Sequence, residues 1–295
     1  MLTLQKQGLR VELCEIGEYY QGTRFDHAGV FRRIVQDGYV WADEWFSHQD
    51  PFRHDRVCGL SEEFVTVNFE GVPPGELFCK PGVGLLRRPD EEPYDWFRLY
   101  EVVNPGEWKW SATACEAVYE HRLPGWYRYC KRILLTGADA LQIRHSLSWE
   151  APSPLHGFFY NHHFLTFGGA PVGPERRIVT PWTPAGHWRS EYDAVRFTQD
   201  GVAFLGPVDP RNSVYCGDLQ NAHGPTSCRF TVKEGAHQVV ISGDMPLDHI
   251  VLWANPQVAC MEPYMPLHLA SGESAEWTFR YKFISRRMSA EEAPI

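Results

Sequence analysis

"AEWTFRYKF", residues 275–283, sets Ala275, Trp277, Phe279, Tyr281 and Phe283 on one side of an extended chain and Glu276, Thr278, Arg280 and Lys282 on the other. Successive side chains of a strand point to opposite faces, so this stretch reads as a strand with one buried and one wet face. "ALQIRHSLSW" (140–149) repeats the pattern, with Leu141, Ile143, Leu147 and Trp149 opposed by Gln142, Arg144, Ser146 and Ser148. The "TGAD" before it supplies a turn back to "YRYCKRILL" (127–135), which predicts a hairpin. "SCRFTVKEGAHQVVISG" (227–243) predicts another, with its reversal at "KEGA".

No window of a dozen residues sustains an i, i+3, i+4, i+7 apolar stripe, and 22 Pro with 25 Gly interrupt the chain often. Helix is therefore expected to be scarce, and many short strands between Gly/Pro turns imply a large antiparallel all-β sandwich or barrel. No linker, repeat or composition shift marks a boundary, so residues 1–295 are read as one domain, a length that all-β units reach. The tail "SAEEAPI" (289–295) reads as a frayed end.

Hydrophobic residues make up 43% and charged residues 22%, a globular profile. Aromatics reach 14%; they favour pleated, half-buried surfaces, and their flat faces suit the apolar CH faces of sugar rings. A net charge of -9 argues against a nucleic-acid partner. No run approaches the roughly 18 apolar residues that a bilayer span needs, and "MLTLQKQGLRVELCE" lacks the regions of a signal peptide, so a cytoplasmic protein without membrane contact is expected. The eight Cys include no CxxC pair, which points to reduced, mostly buried thiols; no metal site and no cofactor are expected.

Three stretches carry candidate chemistry. "YNHHFLTF" (160–167) reads as a half-buried strand, so His162 and His163 face opposite ways and do not share a metal without a bulge. His163 shares its face with Leu165 and Phe167, which read as core; His162 shares its face with Tyr160, Phe164 and Thr166 and is the one expected to meet a ligand. Glu262 stands between Met261 and Pro263 in an apolar run, where burying an unpaired charge is costly. In "YYQGTRFDHAGVF" (19–31), Arg24 and Asp26 follow a turn-forming glycine and are expected to share a strand face, as a ligand-binding pair or a surface ion pair.

In this order, these stretches resemble the aldose 1-epimerase (galactose mutarotase-like) superfamily: an early glycine-preceded Arg24, a central Asn161-His162 followed by aromatics, and a late Glu262 ahead of the final strand "SGESAEWTFRYKF". The resemblance spans nearly the whole chain and implies a β-supersandwich acting on a small-molecule carbohydrate, with His162 as general acid, Glu262 as general base and Arg24 holding hydroxyls. It also implies a second early histidine, whose place "CKPGVGLLRR" fills with Lys80, and an aspartate between His162 and Glu262, for which Asp218 in "YCGDLQNAHG" is chosen over Asp209 and Asp248. Ring opening needs a base on the anomeric hydroxyl and an acid on the ring oxygen, and a carboxylate and an imidazole serve those roles near neutral pH. On this reading the ionised carboxylate is the working form.

Other readings stay open. The same broad fold carries lyases and hydrolases, for which Glu62 and Glu63 in "GLSEEF" are candidates, although they read more simply as structural or surface residues. A carbohydrate-binding protein without turnover is a third reading. "LLRR" (85–88) and "ERR" (175–177) are the basic runs that a phosphosugar would call on, and both read as solvated surface. The identity and charge of the sugar and the oligomeric state are left open.

Overall fold

A computed structural model describes residues 1–65 and 68–285. The tail at 289–295 lies outside the described residues. Strand pairing is antiparallel throughout, and helix is confined, among the described residues, to two three-residue 3-10 turns, Phe69–Gly71 and Phe167–Gly169. No helix among them is long and apolar enough to cross a membrane.

The final strand, Ser274–Ser285, lies inside a ten-stranded sheet, where it pairs with Ala140–Trp149 on one side and His237–Gly243 on the other. Its alternation is the expected one: Trp277, Phe279, Tyr281 and Phe283 are buried while Glu276, Arg280 and Lys282 are exposed. Tyr127–Leu135 pairs with Ala140–Trp149 across the "TGAD" turn. Arg229–Glu234 pairs with His237–Gly243, closing at Glu234 opposite His237 across Gly235, whose positive φ suits the reversal.

A six-stranded sheet packs against this face. Its central members are Leu155–Phe164, Ala259–Leu269 and His249–Ala254, with Gly59–Val65 at one edge and Val214–Asn221 toward the other. Phe159 meets Trp277 at 4.8 Å between ring centroids, and His163 meets Phe230 at 5.5 Å. Burying each such aromatic contributes about 1.5–3 kcal/mol. Alternation then sends the neighbouring residues of the same strands to the outer face, over which loops fold. That outer face carries the candidate site.

All eight cysteines are free thiols, six buried and two half-buried. The basic runs depart from expectation: Arg88 is buried and donates to the carbonyls of Phe69, Val72 and Asp90, and Arg176 is fully buried with Nε on Glu234. Each guanidinium supplies the fork of donors that inward-facing groups need, so the sequence pattern "RR" conceals one inward and one outward arginine.

Candidate active site

Three adjacent strands place the chemistry by register. Tyr160 lies opposite Glu63, Asn161 opposite Glu62 and His162 opposite Ser61, so Glu63, Tyr160 and His162 share the outer face while Glu62, Asn161 and His163 turn inward. On the other side, Leu155–Phe164 pairs with Ala259–Leu269 as far as Tyr160 opposite Tyr264, and the regular ladder lapses beyond it. Pro263, which has no N–H to donate, sits at that break. His163 Nδ1 donates instead to the Met261 carbonyl at 2.7 Å. His162 and Glu262 face one another past the break, with Nδ1 and Oε1 2.9 Å apart but not aligned as a hydrogen bond.

The His162 ring is held by aromatics: Phe164 stacks on it at 5.0 Å, and Phe25 and Tyr160 meet it at 5.2 and 5.0 Å. Its Nε2 lies 3.1 Å from Arg24 Nη2. A guanidinium has only donors, so this contact requires the lone pair on Nε2 and places the ring proton on Nδ1, toward Glu262. Arg24 is itself anchored: its Nε donates to Glu63 Oε2 at 2.9 Å and its Nη2 to the Tyr160 hydroxyl at 3.1 Å. Glu63 also accepts from the Tyr160 hydroxyl and from Lys80 Nζ at 2.8 Å.

Burial drives the charges of the central pair apart. His162 is pushed well below its ordinary value by burial, with Arg24 adding to the effect. Glu262 is pushed well above its ordinary value by burial and by the Glu63 carboxylate, against the pull of Arg24. Both groups therefore favour their neutral forms, a protonated carboxyl beside an uncharged imidazole. Glu63 goes the other way: burial acts to raise it, but Lys80 and Arg24 hold it below the ordinary value, so it stays ionised.

Arg24, His162 and Glu262 line a cavity of about 480 Å³. Its walls include Trp45, Trp96, Phe97, Tyr215, Trp253 and Tyr264, a high share of flat faces. Phe97, 65% exposed, stands at the rim with its ring 4.7 Å from His54. Sequence alone did not single these aromatics out among so many: Trp45, Trp96 and Phe97 sit on loops without periodicity, and Tyr215, Trp253 and Tyr264 come from strands that only the sheet pairing brings together.

The remaining sequence candidates fall elsewhere. The chain at Arg24 and Asp26 is a loop rather than a strand, so the two do not share a face. The Tyr20 hydroxyl accepts from the backbone N–H groups of Arg24 and Phe25, and this bends the loop. Asp26 points inward, accepting from Tyr129 at 2.8 Å and lying 3.5 Å from Lys131 Nζ. Gly82 permits that packing, since a Cβ there would stand 2.2 Å from Asp26 Oδ1. Lys80 is 2% exposed and sits behind Glu63 instead of lining the cavity. Asp218 lies outside the cavity at the surface, paired with His187 at 2.6 Å; Asp209 and Asp248 pair with Arg211 and His249. Glu62 and Glu63 are both buried: Glu63 anchors Arg24, and Glu62 is paired inside the sandwich with Lys131 and Asn161. Among the described residues, no three His, Cys, Asp or Glu side chains gather as a metal would require.

No protein-family model matches the chain, and no curated protein matches it. Solved structures do. The chain is similar to a galactose mutarotase-like protein from Lactobacillus casei (11% identity, 96% of this chain and 100% of that one, TM-score 0.54). A galactose mutarotase-like protein from Clostridium acetobutylicum is also similar (11% identity, 96% and 95%, TM-score 0.55). So is galactose 1-epimerase from Lactobacillus acidophilus (12% identity, 96% and 93%, TM-score 0.51). At such identities the likeness is one of fold: the chain has the galactose mutarotase-like β-sandwich fold over nearly its whole length.

Proposed function

We propose that this protein is an aldose 1-epimerase-like isomerase that interconverts the α and β anomers of a free sugar by acid/base ring opening. The observation that carries the reading is the meeting of His162 Nδ1 and Glu262 Oε1 at 2.9 Å in an aromatic-walled cavity. The anomeric hydroxyl and the ring oxygen hang from one carbon, so the groups that serve them must be neighbours. One takes the hydroxyl proton while the other protonates the ring oxygen; the ring opens to the aldehyde, rotation about C1–C2 turns over the carbonyl face, and closure reverses the transfers.

The resemblance in sequence implied His162 as acid and Glu262 as base. The surroundings of the two side chains favour the opposite resting partition, with the proton on Glu262. Ring closure is the reverse of ring opening, so the competent form is the dyad with one proton, in either partition. Arg24 bears on His162 and offers hydroxyl contacts, and Glu63 with Lys80 keeps Arg24 in place. The contribution of a positioned acid or base is roughly 100- to 10,000-fold. The test is anomer exchange followed by NMR on a panel of free sugars; binding without exchange would assign the fold to carbohydrate recognition alone.

A further inference from the structure

His156 and His268 stand directly opposite one another on neighbouring strands, Leu155–Phe164 and Ala259–Leu269. They are 112 residues apart in sequence, so no motif announces the pair, and their Nδ1 atoms meet at 3.2 Å. Alternation puts both rings on the outer face of the six-stranded sheet, as it does His162, but roughly 20 Å farther along the strand at ~3.3 Å per residue. Neither ring lines the cavity that holds His162 and Glu262.

The backbone beneath the pair is held in place. The His156 N–H donates to Asn68 Oδ1 at 3.0 Å, and its carbonyl accepts from the Asn68 N–H at 3.3 Å. Both groups thus turn away from His268, which makes the two histidines a non-hydrogen-bonded cross-strand pair, the kind whose side chains stand closer. Asn68 is anchored in turn by donating through Nδ2 to the Pro154 carbonyl at 3.0 Å. The rings themselves are exposed, and among the described residues each has the other as its only side-chain hydrogen-bond partner. They open on a groove of about 650 Å³ whose lining includes the Glu70 carboxylate.

A hydrogen bond between two Nδ1 atoms needs one proton and one lone pair. A metal ion in place of that proton takes both lone pairs, with the ring protons on Nε2. Two nitrogens about 2.05 Å from one ion stand about 3.3 Å apart at the tetrahedral angle and about 2.9 Å apart at a right angle. The observed 3.2 Å falls between these values, so a slight pivot of two exposed rings turns the head-on contact into convergence on one ion. Two imidazoles fall short of the three or four protein ligands of a resident centre, and water completes the shell. Imidazole suits copper, nickel and zinc, whereas magnesium and calcium take oxygen ligands. We infer that His156 and His268 form an exchangeable surface site for one late first-row divalent cation, with copper(II) held most tightly.

The experiment uses the untagged full chain, stripped with a chelator and titrated calorimetrically with Cu²⁺, Ni²⁺, Zn²⁺ and Mg²⁺. His156→Ala and His268→Ala are compared with His187→Ala, a control whose imidazole is exposed beside Asp218. One equivalent of Cu²⁺ should bind ahead of Ni²⁺ and Zn²⁺, with no response to Mg²⁺. Two linked ligands gain from their effective concentration, so loss of either imidazole should weaken Cu²⁺ binding roughly 100-fold, and His187→Ala should leave it unchanged. Because the substituted rings are exposed, the metal-free variants should melt as the wild type does, which separates lost ligation from lost folding. No saturable site for Cu²⁺, equal binding of Mg²⁺, or a loss smaller than about tenfold in either variant overturns the site. Anomer exchange is not a readout of this test, so its failure leaves the isomerase reading untouched.

Discussion

Arg24 Nη2 stands 3.1 Å from Nε2 of His162, and the same guanidinium reaches Glu63 through Nε at 2.9 Å. One planar fork thus connects an ionised, fully buried carboxylate to the ring that shares a proton with Glu262. A lysine has a single compact ammonium and cannot hold both partners in that geometry. Arg24→Lys should lower kcat/KM by roughly 10- to 100-fold in anomer exchange while the protein stays folded. A loss confined to KM would show that Arg24 serves sugar binding alone and leaves His162 unaided.

The two neighbouring histidines separate activity from stability. His162 faces the cavity, whereas His163 donates to the Met261 carbonyl and packs on Phe230 between the sheets. His162→Asn should abolish most exchange with little change in melting temperature. His163→Asn should cost about 1–3 kcal/mol in urea unfolding through a buried carbonyl left unpaired, with exchange retained in the folded fraction. The reverse pattern would place the chemistry on the inner face.

Glu262→Gln keeps the shape of the side chain and removes its titration. Exchange should fall roughly 100-fold or more, with sugar affinity changed far less, as calorimetry would report. Near wild-type exchange in this variant would take the acid/base role away from Glu262.

The pH profile tests which proton matters. A dyad that works with one proton loses activity on the acid side when His162 gains a second proton, and on the basic side when Glu262 loses the only one. Burial places the first limb on the acid side of the ordinary imidazole value of 6.5, and the second on the alkaline side of the ordinary carboxylate value of 4.5. Wild-type kcat/KM should therefore be bell-shaped, and the residual activity of Glu262→Gln should lack the basic limb. If that variant lost the acid limb instead, an ionised Glu262 acting as base throughout would be the correct partition.

The architecture was legible because its signals are local. Trp277 to Phe283 alternate against a wet face, and "TGAD" and "KEGA" mark reversals that the sheet pairings follow. Alternation also separated His162 from His163, since a strand fixes the side-chain direction of each residue once one face is known. The loops gave no such rule. Arg24 and Asp26 are two residues apart, but the Tyr20 hydroxyl bends the chain between strands, so the period-two expectation failed there. Glu62 and Glu63 read as structural or surface residues, and sequence left the choice open because their cations, Lys131 and Lys80, are distant in sequence and approach only through the sheet packing. Asp218 could not be excluded from sequence because its partner His187 lies on a separate loop.

Glu62 supplies the last prediction, one of stability. It is fully buried, accepts from Asn161 at 3.0 Å, pairs with Lys131 and lies 3.0 Å from His145 Nε2. Burial acts to raise its pKa, but His145 and Lys131 outweigh it and hold the carboxyl at about 2, below the ordinary 4.5. A folded value below the unfolded one means that the ionised form favours folding. The stabilisation is present in full above about pH 4.5 and is lost as pH falls through that value toward 2. Glu62→Gln keeps the shape and the Asn161 contact but leaves Lys131 with only Asp26, 3.5 Å away, to balance its charge. Breaking a buried pair costs about 3–5 kcal/mol, and the remaining aspartate puts the expected loss near 3 kcal/mol at pH 7. Urea unfolding at pH 7 and at pH 4 should show the gap between variant and wild type narrowing at the lower pH. An equal loss at both, or a loss below about 1 kcal/mol at pH 7, would mean that Glu62 is not the group that neutralises Lys131 inside the sandwich.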